Sequence, residues 1–456
     1  MRSTGGVWGA ALGLALLLTA CTDGGPEVIP EPTESEPVTG AVEFAPGVAV
    51  PDTPAGQASE WVLEQLAAAE GPSEAEASER FAEVFLAEVP ADQLALVFDQ
   101  LRASGPYRVQ GYQGTEEAAQ LPLDGAGDRY ILHVVTEPDG RMSTLFLQAA
   151  PPIPEVTSLD ELDAAFAELD AETSVLVADG ATCEPLHARD ADVARPIGSI
   201  IKLYVLDAVA EQVAGGDLDW DATLTLTDDL RSLPSGILQE EPAGHEVSVD
   251  RAAELMISIS DNTATDLLID AVGREAVLAA VERLGHHDPE LLTPLLNTRA
   301  LFQLGFTDAG LRDQWSAADA GERAELLAEL PGGSIEIDPA LGQDIVWPDG
   351  LDWFASAEDL CRAHVGLQET AQDMERVGEI LAVNPGIDVP AGWDYVAFKG
   401  GSAPGEMAGS WYLESETGDP YVVVVQIAAT TLEAVPDAGW LADVVGQAAE
   451  VLAREG

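Results

Sequence analysis

Ser199 and Lys202 stand three residues apart in the stretch Arg195-Pro196-Ile197-Gly198-Ser199-Ile200-Ile201-Lys202-Leu203-Tyr204. Pro196 and Gly198 punctuate a loop. Ile200, Ile201, Leu203, Val205 and Leu206 then leave almost no solvent face, which is the pattern of a buried helix. On such a helix the serine and the lysine share one face about a turn apart. An amine in an apolar wall loses its charge, and a neutral amine can take the proton of a hydroxyl that attacks a carbonyl. A lone Ser-x-x-Lys also fits many ordinary helices. Lysine usage changes its weight, because the chain holds only two lysines, Lys202 and Lys399. Arginine cannot supply an amine's chemistry, so two retained lysines point to that chemistry. Lys399 opens Lys399-Gly400-Gly401-Ser402 after a strand-like run at 395–398. Between the two lysines, Ser260-Asp261-Asn262 ends an amphipathic helix marked by Ala252, Leu255, Met256 and Ile259.

Three short elements in the order Ser-x-x-Lys, Ser-Asp-Asn, Lys-Gly-Gly are far more specific than any one of them. The chain resembles the penicillin-recognising serine enzymes, the class A β-lactamases and penicillin-binding proteins. The resemblance implies Ser199 as the acylated nucleophile and Lys202 as its general base. It implies Ser260 as the group that passes a proton to the leaving group, with Lys399 orienting it and supplying positive potential. Asn262 would hold the substrate amide. The N–H groups of Ser199 and Ser402 would form an oxyanion hole, and Gly400 and Gly401 would let substrate lie flat on the strand. Three departures bear on activity. Thr293 stands where the family's omega-loop glutamate is expected in Thr293-Pro294-Leu295-Leu296-Asn297, although Pro294 and Asn297 fit; Glu290 lies three residues upstream. Gly400 replaces the hydroxyl residue of Lys-Thr-Gly. An extra segment, about residues 300–346, follows the omega loop and could roof the cleft. With the N-terminal domain described next, these departures are most similar to the accessory serine hydrolases of clavulanic acid gene clusters. That group is poor on β-lactams, and an esterase-like activity has been suggested for it.

The elements that must position these residues give an α+β chain. Residues 153–456 are expected to form a β-lactamase-like domain. It would have a helix and two strands (158–169, 174–178 and a return through 186), a helical middle, three antiparallel strands (395–398, 409–414, 421–428) and a closing helix at 436–452. One sheet is then built from both chain ends, beside a helical subdomain. Segments 220–226 and 230–240 are expected as connections. Residues 44–152 are expected as a small cystatin-like or steroid-isomerase-like cone. Its helices are expected at 60–69, 74–88 and 92–103, and its strands at 107–112, 130–136 and 144–149. His133 in this domain has no carboxylate partner in sight and is expected as a core or rim histidine. The Pro-rich 151–154 marks the boundary.

The 456 residues exceed one core's worth, and 81 acidic against 20 basic side chains give a formal charge of −61. That balance argues against nucleic-acid binding and against membrane binding through a basic face. Residues 1–21 are expected as a lipoprotein signal peptide, too short for a span, with Cys21 as the lipidated residue of Leu18-Thr19-Ala20-Cys21. Residues 22–43 are expected as an acidic tether. The protein is then exported and held at the outer face of a bacterial membrane by its lipid alone. Cys183 and Cys361 are expected as two buried free thiols. His286-His287-Asp288 is expected as a solvated turn and not a metal site, and no cofactor is implied. The substrate is expected to be a small molecule or a peptidoglycan-type compound with a β-lactam, ester or peptide carbonyl. The alternative is a penicillin-sensing lipoprotein with a long-lived acyl adduct.

Overall fold

The computed structural model describes residues 42–455, apart from 46, 47, 115, 116 and 339. The expected signal peptide with Cys21 and nearly all of the acidic tether lie outside the described residues.

The first lobe begins with helix α1 (Pro54–Ala67), where Thr53 Oγ1 accepts from Gly56 N at 3.0 Å and Pro54 occupies the first turn. Helices α2 (Glu74–Arg80), α3 (Glu83–Glu88) and α4 (Leu94–Arg102) follow. The single helix expected over 74–88 is therefore two. Phe81 makes an isolated bridge to Met142 and Ala82 N donates to Met142 O, so tertiary pairing interrupts the local helical period. Six strands wrap these helices: β1 (Glu43–Phe44), β2 (Arg108–Val109), β3 (Gln113–Gly114), β4 (Ala118–Asp124), β5 (Arg129–Thr136) and β6 (Met142–Ala150). Their order is β1-β2-β4-β5-β6, with β3 also on β4. Strand β4 was not expected, since Pro122 lies in its middle. Its carbonyl accepts from Gln110 N at 2.9 Å, between β2 and β3, so the missing N–H faces an interrupted neighbour. Trp61 meets Phe81 and Phe98 edge-on at 5.9 and 5.7 Å in the lobe's core. His133 stacks on Phe146 at 4.2 Å.

The second lobe has α5 (Leu159–Ala167), β7 (Glu172–Asp179), β8 (Pro185–Arg189), the short β9 (Arg195–Pro196) and α6 (Lys202–Gly215). A two-stranded ribbon pairs β10 (Thr223–Thr225), within what was expected as connection, with β11 (Glu246–Ser248). Helices α7 (Val249–Ser258), α8 (Asn262–Val272), α9 (Arg274–Arg283), α10 (Thr298–Phe306), α11 (Ala309–Ala317) and α12 (Ala320–Glu329) form the helical middle. Strand β12 (Phe354–Ala355) pairs with β9, and α13 (Ala357–Asp373) and α14 (Glu375–Leu381) lead to β13 (Trp393–Ala403), β14 (Glu406–Ser415), β15 (Pro420–Ala428) and α15 (Ala438–Glu455).

The five-stranded antiparallel sheet runs β13-β14-β15-β7-β8, so strands from both ends of the lobe meet at β15 and β7. Both are continuous apolar runs because both faces are covered. Val175, Val177, Val423 and Val425 face α5 and α15, whereas Leu176, Ala178, Val422 and Val424 face the helical middle. The same alternation on β13 places Val396 on the first side and Ala397, two residues before Lys399, on the second. Lys399 therefore points toward the helical middle, where α6 lies. That helix is buried without interruption from Lys202 to Ala210 and ends at Gly216 in a left-handed conformation.

Cys183 and Cys361 form a disulfide, with Cα atoms 6.0 Å apart. The expectation of free thiols is corrected by packing: α13 lies against β7, which brings a helix residue to the turn after that strand. The lobes are joined by more than a linker. Arg129 makes a bidentate pair with Asp437 at 3.0 and 3.1 Å and Trp440 Nε1 donates to Pro152 O, while within the second lobe Gln447 accepts from Val156 N and donates to Pro154 O.

Candidate active site

Arg195 is buried on β9; its guanidinium donates to Ser174 Oγ at 2.8 Å and to Glu172 Oε2 at 2.7 Å, fixing the segment ahead of Ser199 against β7. Gly198 then turns the chain in a left-handed conformation, with φ of 48°. A Cβ there would lie 3.0 Å from Ser402 N. Ser199 follows in a short 3-10 turn that runs into α6, so its N–H sits at a helix start close to β13. At Gly401 a Cβ would lie 2.0 Å from Ile197 O and 2.7 Å from Ser199 N. That glycine is needed for the strand to reach the nucleophile's turn. At Gly400 a Cβ would meet Phe398 Cζ at 2.8 Å, so the ring of Phe398 fills the space of the expected hydroxyl side chain.

Lys202 is wholly buried and Lys399 is 3% exposed. Lys202 Nζ donates to Ser260 O at 2.7 Å, Asn262 Oδ1 at 2.7 Å and Ser260 Oγ at 3.0 Å. Lys399 Nζ donates to Ser260 Oγ at 3.0 Å and to Gly400 O at 2.7 Å. Burial, then the nearby Lys399, holds the Lys202 amine well below its ordinary range; burial pushes Lys399 down to about 7. Two amines of low basicity thus share one hydroxyl. When either is neutral its lone pair can accept the Ser260 proton, so the three groups can relay a proton across the cleft. Ser260 reaches this place through a left-handed backbone, with φ of 58°, between α7 and α8.

Asp261 holds that backbone. Its carboxylate accepts from Ala264 N at 2.8 Å as the cap of α8, and from Ile237 N and Leu238 N at 2.7 and 3.0 Å. Gly236 makes room for it, since a Cβ there would lie 2.3 Å from Asp261 Cγ. Asn262 also donates from Nδ2 to Leu233 O at 3.1 Å, leaving one amide N–H for a ligand.

These residues open into a cleft of about 550 Å³ lined by Ser199, Ser260, Asn262, Gly400, Gly401 and Ser402. Apolar side chains line much of the rest: Leu301, Phe302 and Phe306 from α10, with Trp353, Phe398 and Met407. The extra segment contributes Ile337 and Gly342. The one ionisable side chain in the lining, among the described residues, is Asp352. Thr293 and Asn297 lie on the loop that leads into α10, with Glu290 in the short turn just before it. Thr293 is exposed and donates to Pro289 O, while Asn297 caps α10 by accepting from Ala300 N at 3.1 Å. Asp266 of α8 accepts from Thr298 N at 2.8 Å and from Arg299 N at 2.9 Å, which ties the start of α10 to α8.

The turn at 286–288 is solvated at His287, as expected, but buried at His286. His286 is 6% exposed, and His287 Nδ1 lies 2.6 Å from Asp359 Oδ2. His286, His287 and Asp359 could offer ligand atoms within 4.8 Å of one another. The carboxylate is already committed to Ser356 N, Ser356 Oγ, His287 N and the Arg362 guanidinium, and a cation there would face that fixed charge.

Sequence reasoning missed Asp261 as a support, and missed Asp352 and Glu406 beneath the nucleophile's turn. Each is one acid among 81. Burial distinguishes them, and sequence does not reveal it.

Residues 158–335 match the β-lactamase enzyme family, and residues 50–142 match the family described as ORF 12 gene product N-terminal. Solved structures similar to this chain include the β-lactamase from Sphaerobacter thermophilus, at 20% identity over 64% of this chain and 95% of that one, with a TM-score of 0.45. PBP-A is similar at 17% identity over 67% and 99%, with a TM-score of 0.45. The chromosome-encoded β-lactamase of Vibrio parahaemolyticus is similar at 14% identity over 65% and 97%, with a TM-score of 0.46. No curated protein matches.

Proposed function

From the premise that the second lobe is a class A β-lactamase-like serine hydrolase domain, we propose that this chain forms an acyl-enzyme at Ser199 with an uncharged, largely apolar ester or a related lactam or peptide carbonyl. One observation carries this reading: Ser260 Oγ lies 3.0 Å from the amines of both buried lysines. Ser199 Oγ attacks the carbonyl carbon while Lys202, its basicity lowered by burial, takes the proton in its neutral form. The carbonyl oxygen gains its charge against the N–H groups of Ser199 and Ser402, on segments held in contact by Gly198 and Gly401. The proton passes through Ser260 to the leaving group as the bond to the carbonyl carbon breaks, with Lys399 holding Ser260 in place. The apolar wall favours a largely apolar substrate, and the net charge of −61 favours one without a carboxylate.

Thr293, standing where a glutamate would activate the deacylating water, favours a second reading in which the acyl adduct persists. The protein would then sense its ligand. Intact-mass measurement after mixing with a p-nitrophenyl ester or nitrocefin separates the two. Hydrolysis predicts product with recovered free protein; sensing predicts a lasting adduct on Ser199. Neither product nor adduct, or an adduct also on Ser199→Ala, contradicts both. We further propose export and lipid anchoring at Cys21. The Cys183–Cys361 disulfide supports export, since such bonds persist in oxidising compartments.

A further inference from the structure

Beneath the nucleophile's turn lies a second pair of ionisable groups that the acyl-transfer reading does not use. Asp352, 5% exposed, precedes β12; Glu406, 2% exposed, opens β14. Asp352 Oδ1 accepts from Gly198 N at 2.9 Å, Ile197 N at 3.2 Å and Trp353 N at 2.6 Å. The peptide groups that enter the Ser199 turn are therefore held by one carboxylate oxygen. Glu406 packs against the same turn, since a Cβ on Gly198 would lie 3.2 Å from Glu406 Oε1. Both Glu406 oxygens are buried without a hydrogen-bond donor among the described residues. The elements around it bring one titratable group, Asp352; the Ile197–Gly198 turn, the Ser402–Ala403 end of β13 and Ala428 of β15 bring none.

Two carboxylates cannot hydrogen-bond each other unless one carries a proton, and two buried negative charges in contact repel strongly. A single proton resolves both problems. We propose that Asp352 and Glu406 are positioning residues that share one proton, Glu406 as the acid and Asp352 as the carboxylate, and so fix the turn that presents the Ser199 hydroxyl and N–H. Burial and the partner carboxylate raise Glu406 well above its usual range, and burial raises Asp352 to about 6, in keeping with one proton kept at neutral pH. Loss of that proton leaves two charges under the turn and displaces the N–H groups bound to Asp352.

This inference rests on Ser199 as the nucleophile, and its test separates the two. Glu406→Gln keeps a permanent donor to Asp352, whereas Glu406→Met removes it. The measurement is the rate of fluorophosphonate labelling at Ser199 from about pH 5 to about pH 10. Glu406→Gln is expected within about threefold of wild type at neutral pH and without the part of the alkaline decline that belongs to the shared proton. Glu406→Met is expected to label about tenfold or more slowly, as for loss of a hydrogen bond to a charged group. Wild-type labelling in Glu406→Met, or equal loss in both variants, overturns the proposal. Infrared spectroscopy of the unreacted protein decides the matter even if Glu406→Met does not fold. A protonated carboxyl band at neutral pH, absent from Glu406→Gln, is expected, and its absence from wild type overturns the shared proton. Failure of wild type to label would instead remove Ser199 as nucleophile and leave the infrared result standing.

Discussion

Lys399 titrates at about 7 in the folded protein because it is buried, while in the unfolded chain it returns to its ordinary value near 10.5. Between those values the unfolded state binds more protons, so the folded state gains stability as pH rises through that window and pays most below it. In Lys399→Met this contribution is gone. The stability of wild type relative to Lys399→Met is expected to increase from pH 7 to pH 10, by at most about 1.4 kcal/mol per pH unit. Urea unfolding at both pH values reads it, and a difference independent of pH would contradict the depressed amine. At this scale Ser199, Lys202, Ser260 and Lys399 were legible because lysine is so scarce in the chain that each one stands out. Asp261, Asp352 and Glu406 were not, because an acidic chain gives one buried carboxylate no mark of its own.

Elements carry the site through close approaches of backbone. Gly401→Ala would place a Cβ against Ile197 O and Ser199 N, both main-chain atoms that cannot give way. It is expected to abolish labelling of Ser199 and to destabilise the lobe by about 1–3 kcal/mol. Gly400→Ala meets only the end of the Phe398 ring and is expected to keep most of the labelling. Labelling rates and thermal midpoints of the two variants test the contrast, and equal behaviour would show that the turn and the strand are not in contact. The glycines line the cleft, and each also borders the protein's own atoms. Strands β7 and β15 were legible as unbroken apolar runs. Strand β4 was hidden by Pro122, and the α2–α3 break was hidden because Phe81 and Ala82 respond to Met142, far along the chain.

For the whole molecule, the Cys183–Cys361 bond closes a loop of 178 positions across the helical middle. Such a closure removes much of the unfolded chain's freedom, so Cys183→Ser with Cys361→Ser is expected to cost about 2–5 kcal/mol. Denaturant unfolding of the oxidised protein and the double variant checks it, and coincident transitions would contradict it. Sequence did not reveal the pairing because turn and helix are brought together only by α13 crossing β7. The order of the lobes was legible from composition and from the prolines at 151–154. Their attachment was not, because Arg129 and Asp437 look like ordinary surface polar residues until the fold brings them together.

The central claim is that a neutral amine at Lys202 activates Ser199, and the rate of fluorophosphonate labelling in Lys202 variants tests it most directly. Removing the base in Lys202→Ala is expected to slow labelling at Ser199 about 100-fold or more. Lys202→Arg should not restore it, because a guanidinium stays charged. Labelling of Lys202→Ala at the wild-type rate, or recovery in Lys202→Arg, would contradict the account.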